Sequence, residues 1–239
     1  HRETVLGILN KVGLSESALK CGTHEPYFDW ILDQTASAIP GFNHVTVLHH
    51  NCSGKHAGIL MLCHLLGFAI DNYWEFTHPV QRLILKDLSS ILKTSVDRIH
   101  LGVDGCGVPT YIVSLYSLAD AYQQLLVNDR LAPIKDAMLK EPYMIAGKDR
   151  LESNIIESCG YVAKSGSEGI FCLAIPGDKI GIAIKIESGS DNAAECVAVE
   201  LLDKMGLINS DQRTALDKYR FRSISTSTHL TVGRYEPVF

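Results

Sequence analysis

The strongest constraint on the fold is a change in hydrophobic period at Gly160. Before it, apolar residues recur every three or four positions; after it they alternate. Ile180, Ile182, Ile184 and Ile186 fall on every second residue, so they share one face of a strand. Gly181 and Ala183 occupy the opposite face, and their small size lets another element come close. Tyr161–Lys164, Gly169–Ile175 and Lys179–Glu187 read as three strands, with Pro176, Gly177 and Asp178 as the hairpin turn between the last two. A helix over Asp191–Met205 carries Ala194, Val197, Ala198, Leu201, Leu202 and Met205 on one stripe, which suits it to cover a sheet face, and Gly206 stops it.

The preceding residues read mainly as helices. The chain opens on one, with Val5, Leu6, Leu9 and Val12 on a stripe. Thr46–Leu48 is a short β-type run leading through His49–Cys52 into a helix at about Gly54–Leu66, and Pro79–Lys93 is amphipathic with proline in its first turn. Ile99–Val103 is another β-type run, broken by the irregular DGCGVP loop. Helical patterns follow at Leu118–Val127, Pro133–Leu139 and Asp149–Ser158. The expected organisation is one mixed α/β (α+β) region over 1–239. Residues 1–159 form a helix-rich lobe, and 160–239 supply an antiparallel sheet hairpin and C-terminal helices. The Ser/Thr-rich stretch Ser223–Thr228 reads as a surface connection.

A length of 239 residues with 46% hydrophobic composition supports a substantial core. The 22 basic and 27 acidic residues give a net charge of -5 and form no basic stripe, which argues against a nucleic-acid partner. No apolar run approaches the roughly 20 residues needed to cross a bilayer, so no membrane segment is expected. Seven scattered cysteines do not form a secreted disulfide framework; a reducing, cytoplasmic setting is expected, with Cys63, Cys172 and Cys196 as small core residues.

Three segments carry chemistry. HHNCSGKHAG sets Cys52, Ser53, Lys55 and His56 at a helix N-terminus, where unpaired N–H groups bind anions and favour thiolate. The alternative is an ordinary polar first turn capped by Ser53. VDGCGVP presents Asp104 and Cys106 between glycines at the exit of a β-type run. Cys52 and Cys106 could make a metal pair, a disulfide or neither, since zinc normally takes four ligands. AKSGSEG places Lys164 at the end of one strand and just before another. It has the form of the KTG element of serine β-lactamases and penicillin-binding proteins, in which a strand lysine faces the active serine. Two SxxK strings, Ser17–Lys20 and Ser90–Lys93, are rejected as exposed helical surface.

Taken in order, NCSGKHAG, HPVQ (His78–Gln81), VDGCGVP and AKSGSEG, followed by the FCLAIP and IGIAIKIESG strands, resemble the rhizobial-type L-asparaginases. CGTH (Cys21–His24) and GKDR (Gly147–Arg150) also fall where similar pieces occur in that family. The resemblance implies a serine β-lactamase/penicillin-binding-protein-like fold and hydrolysis of L-asparagine to L-aspartate and ammonia through a serine acyl-enzyme. It implies a metal site, with zinc as the possible ion, at Cys52, Lys55 and Cys106. Substrate contacts fall to Asp104, Gly166 and Ser167, and Lys164 is the catalytic partner of a serine. A homodimer with no organic cofactor is expected. The family's nucleophilic serine lies ahead of the region matching His1, so the chain is expected to be an N-terminally truncated, inactive piece. Rival readings are a glutaminase or β-lactamase-like acyl hydrolase, or a non-catalytic metal-binding homologue.

Overall fold

The computed structural model describes residues 1–24 and 45–238. The chain divides into two compact units, 1–112 and 113–239. The change of period at Gly160 therefore marks where the sheet begins, inside the second unit.

The first unit holds α1 (Arg2–Asn10), α2 (Ser53–Leu66), α3 (Pro79–Ile91), β1 (His100–Val103) and β2 (Pro109–Ile112). Val5 and Leu9 of α1 meet Ala57, Leu60 and Cys63 of α2 in one apolar cluster that also takes in Tyr73, Val80, Cys106 and Val108. α1 stops at Asn10, and Gly13 follows with φ of 70°. The β-type run at Thr46–Leu48 is instead a 3-10 turn, Val47–His49. The reason is local: the Thr46 hydroxyl accepts from the Leu48 N–H at 3.3 Å, and the Thr46 N–H donates to His49 Nδ1 at 3.0 Å. These side chains satisfy backbone groups that a strand would need a neighbour to pair. α2 is also not capped by Ser53. Its N-cap is Cys52, with no side-chain cap bond, while Ser53 is buried and its hydroxyl donates to the Leu48 carbonyl at 3.3 Å. β1 and β2 pair antiparallel, with His100 opposite Ile112 and Val103 opposite Pro109, so DGCGV becomes a hairpin connection.

The second unit holds α4 (Leu115–Val127), α5 (Ala132–Lys140), α6 (Pro142–Ala146), α7 (Leu151–Cys159), β3 (Val162–Gly166), β4 (Ile170–Ile175), β5 (Ile180–Lys185), α8 (Asp191–Lys204), α9 (Ser210–Arg220), β6 (Ser223–Ser225) and β7 (Thr231–Arg234). β3, β4 and β5 form an antiparallel sheet in that order. Ala163, Phe171, Leu173, Ile182 and Ile184 on one face pack with Leu151 and Ile155 of α7, Ala198 and Leu202 of α8, and Leu216 of α9. The isoleucines of β5 therefore turn toward the core as expected. α4 packs against β4 and β5, and a Cβ on Gly181 would run into the Ala119 carbonyl and the Gln123 backbone nitrogen. The small face read from Gly181 and Ala183 is where a helix backbone approaches.

Two expectations need correction here. On α8, Met205 lies beyond the helix and is exposed, while Glu195 and Glu200 are buried on the covered side. They are held there by Arg222, which pairs with Glu195, and Arg220, whose Nε lies 2.6 Å from Glu200. A pattern of apolar residues alone does not reveal acids that are buried with a cation. The Ser223–Thr228 stretch is exposed, but it includes β6, which pairs with β7 in a hairpin. Cys63, Cys172 and Cys196 are core residues, and all seven cysteines are free. No helix among the described residues is long and apolar enough to cross a membrane.

Candidate functional site

In the first unit, the N-terminus of α2 and the β1–β2 connection bring four of the sequence-derived site residues together. The connection is fixed by its own backbone: the Asp104 N–H donates to the Val108 carbonyl at 2.9 Å, and the Gly107 N–H donates to the Asp104 carbonyl at 2.8 Å. Gly107 adopts φ of 90°, which disfavours any side chain there. Val108 and Cys106 are buried, anchoring the loop and leaving Asp104 half-exposed. One ligand atom each from Cys52, Asp104 and Cys106 lies within 4.8 Å of the others. Lys55 Nζ lies 2.6 Å from Asp104 Oδ2, and the Cys106 thiol points at the same oxygen from 3.2 Å. The other carboxylate oxygen accepts from the Gly105 N–H at 2.8 Å.

The charges are mutually dependent. Burial pushes the Cys52 thiol up to about 12 against the pull of the Lys55 ammonium, with Cys106 adding to the rise. Burial opposes the charge on Lys55, but the Asp104 hydrogen bond and the neighbouring thiols outweigh it, so its pKa is raised. Burial likewise works against the Asp104 carboxylate, and donation from Lys55, Cys106 and Gly105 overcomes it and lowers its pKa. At neutral pH this is a Lys55 ammonium neutralising an Asp104 carboxylate beside a protonated Cys52 thiol. Two thiols and a carboxylate are a suitable donor set for zinc, provided the thiol protons leave on binding. Lys55 can join that set only by giving up its proton and its contact with Asp104.

Around this cluster sit residues to which the sequence reading gave no role. His24 Nε2 lies 3.0 Å from Asn51 Oδ1 and accepts from the Asn51 N–H at 3.0 Å, and its ring meets that of His50 edge-on at 4.4 Å. His50 Nδ1 accepts from the Cys52 N–H at 3.0 Å. Burial, then the nearby His24, lower the pKa of His50. Cys21 is buried with its thiol 3.6 Å from the Val47 carbonyl, and burial raises its pKa. The signal that could have found them was the CGTH string, whose spacing from HHNC says nothing of their proximity in space. His56 points away from the cluster into the core, fully buried, with Nδ1 2.6 Å from the Tyr73 hydroxyl.

The model for the L-asparaginase II family matches residues 1–237. The chain belongs to the L-asparaginase II family. No curated protein sequence matches it. The family assignment agrees with the motif order that pointed to an asparaginase, and it makes the protein an amidohydrolase by family, with a small-molecule substrate.

The other residues that the sequence of this family member singled out, Lys164, Gly166 and Ser167, lie in the second unit. Lys164 and Gly166 are on β3, and Ser167 opens the turn to β4. Lys164 is opposite Cys172, on the sheet face that α4 covers, and its Nζ donates to the Ser165 carbonyl at 2.6 Å. The Ser165 side chain alternates to the other face, as the regular strand requires. Glu168 and Gly169 complete the turn with φ of 63° and 71°. The two rejected SxxK strings stay on the surface: Ser17, Lys20, Ser90 and Lys93 are all exposed.

Proposed function

We propose that this member of the L-asparaginase II family hydrolyses L-asparagine to L-aspartate and ammonia through a serine acyl-enzyme on a β-lactamase-like fold. The observation that carries the reading is the convergence of Cys52, Lys55, Asp104 and Cys106 on one partly open cluster in a chain of that family. Asp104 holds the substrate α-ammonium by a charge-assisted hydrogen bond. The neutral Lys164 amine takes the proton from an attacking serine hydroxyl and returns it to the departing ammonia, and water then cleaves the ester. Gly166, where an added Cβ would crowd Ile170, contacts the substrate through its backbone, and the N–H of Ser167 faces the developing oxyanion. Cys52, Lys55 and Cys106 would hold a zinc ion, which would supply fixed positive charge beside the substrate. The reading includes a cytoplasmic homodimer, and seven free thiols suit a reducing compartment.

The test is ammonia release from L-asparagine by protein expressed from the complete coding region, with L-glutamine and a chromogenic β-lactam assayed alongside. Preference for asparagine, abolished by Lys164→Ala, is the expected result. Turnover of glutamine or the β-lactam alone would identify a different acyl hydrolase, and zinc binding without turnover of any of the three would mean a non-catalytic homologue.

A further inference from the structure

The GKDR motif leads into α7, and its role becomes visible only in the packing of the second unit. Ser153 Oγ donates to the Pro142 carbonyl at 3.0 Å and the Gly147 carbonyl at 2.7 Å, fastening the preceding turn to the start of the helix. Leu151 and Ile155 enter the core on either side of Glu152. Glu152 is thereby carried inside, with only 1% of its surface exposed. There the Ser165 hydroxyl donates to Glu152 Oε1. Arg150 Nε stands 3.7 Å from Oε2, near enough for charge attraction, and no hydrogen-bond donor among the described residues reaches that oxygen.

An acid and a hydroxyl on an otherwise apolar core face are a costly arrangement, because well-packed apolar residues usually give equal or better stability. What such a pair supplies is position. Among the described residues, β3 is an edge strand of its sheet, hydrogen-bonded to β4 on one side. Its Ser165 is tied twice: the hydroxyl to Glu152 on the core face, the carbonyl to Lys164 Nζ at 2.6 Å. One residue thus connects the buried acid to the lysine amine.

We propose that Glu152 is a positioning residue that sets the placement of Lys164 through Ser165, with Arg150 holding the far carboxylate oxygen. This rests on the reading of Lys164 as proton carrier. A rotation of β3 about its axis would move the Ser165 carbonyl and with it the lysine amine, whereas Glu152 itself stays on the opposite side of the strand from the reaction.

The experiment compares Glu152→Gln, Ser165→Ala and the double variant in protein from the complete coding region. Three quantities are read: kcat and KM for asparagine, melting temperature, and amide hydrogen exchange over Val162–Gly166 relative to Ile170–Ile175. Each single variant is expected to lower kcat about tenfold, equivalent to about 1.4 kcal/mol of barrier, with KM within about twofold. The double variant should lose little more than either single one, because both remove the same link. Exchange over β3 should rise about tenfold while β4 is unchanged. The proposal is overturned if kcat of the folded variants stays within about twofold of the parent, if only the melting temperature falls, or if exchange over β3 does not change. Ser165→Ala removes a single oxygen and keeps the test alive should Glu152→Gln fail to fold. Lys164→Ala separates the two ideas. Full turnover in that variant would sink the proton-carrier reading, while exchange over β3 would still report on what Glu152 holds.

Discussion

Gly181 is where the backbone of α4 comes closest to the sheet, and replacing it with alanine tests that approach directly. A Cβ there would lie 2.6 Å from the Gln123 backbone nitrogen and nearer still to the Ala119 carbonyl oxygen. Neither atom is the end of a side chain that could swing away, so α4 must move off β5 by about 1 Å to restore van der Waals separation. Overpacking of this kind costs about 1 to 3 kcal/mol, and the top of that range applies because main chain is met. Alanine recovers about 0.5 to 1 kcal/mol of that by restricting the unfolded chain. The expected net loss is about 2 kcal/mol, or roughly 4 to 8 °C in melting temperature for a chain of 239 residues. Gly177, in the neighbouring β4–β5 turn, has nothing within 4 Å of an added Cβ. Gly177→Ala is therefore the control, expected within about 0.5 kcal/mol of the parent. Urea denaturation of both variants decides the matter. If Gly181→Ala proves as stable as Gly177→Ala, α4 does not pack on β5 as described.

In protein from the complete coding region, Asp104→Ala should lower kcat/KM by more than tenfold with a stability change below about 1 kcal/mol, because its ion pair with Lys55 is over a third exposed and well screened. A large fall in melting temperature with normal kinetics would make Asp104 structural. Cys52→Ser and Cys106→Ser should each lose bound zinc, measured by elemental analysis after dialysis against zinc at fixed concentration, and unchanged metal in both would remove the ion from the site. His56 is buried and its pKa is lowered from 6.5 to about 4, by burial first and then by the Lys55 charge. The native state thus holds it neutral while the unfolded chain protonates near 6.5, so its stabilisation is complete above that pH and is lost on acidification toward about 4, up to about 3 kcal/mol. The gap between urea midpoints at about pH 4.5 and 7.5 should narrow in His56→Gln, the lowered His49 and His50 keeping part of it, and an unaltered gap would contradict the assignment.

The sheet was legible in the sequence because strand alternation is local: Ile180, Ile182 and Ile184 needed no partner to declare one face, and Gly181 and Ala183 announced a close neighbour on the other. The neighbour's identity, α4, was not legible, since its residues are far along the chain. The 3-10 turn at Val47–His49 went unseen because β-branched composition there is overruled by side-chain caps from Thr46 and His49. C-terminal helices were expected after the sheet, but no range for α9 could be drawn, because only Leu216 and Tyr219 of it are buried; its Asn209 cap and the Arg220–Glu200 pair, on top of that small apolar contact, hold it in place.

The site divides the same way. Residue types and motif order singled out Cys52, Lys55, Asp104, Cys106 and Lys164 as candidates, and the first four come together in the structure. Only tertiary structure decided that Lys55 spends its charge on Asp104, that Cys52 is held protonated by burial, that His24 and Cys21 border the cluster, and that Glu152 reaches Ser165 beneath Lys164. The physical reason is that a side chain's identity is written in the chain, whereas its charge state and partners depend on desolvation and on groups brought near by folding.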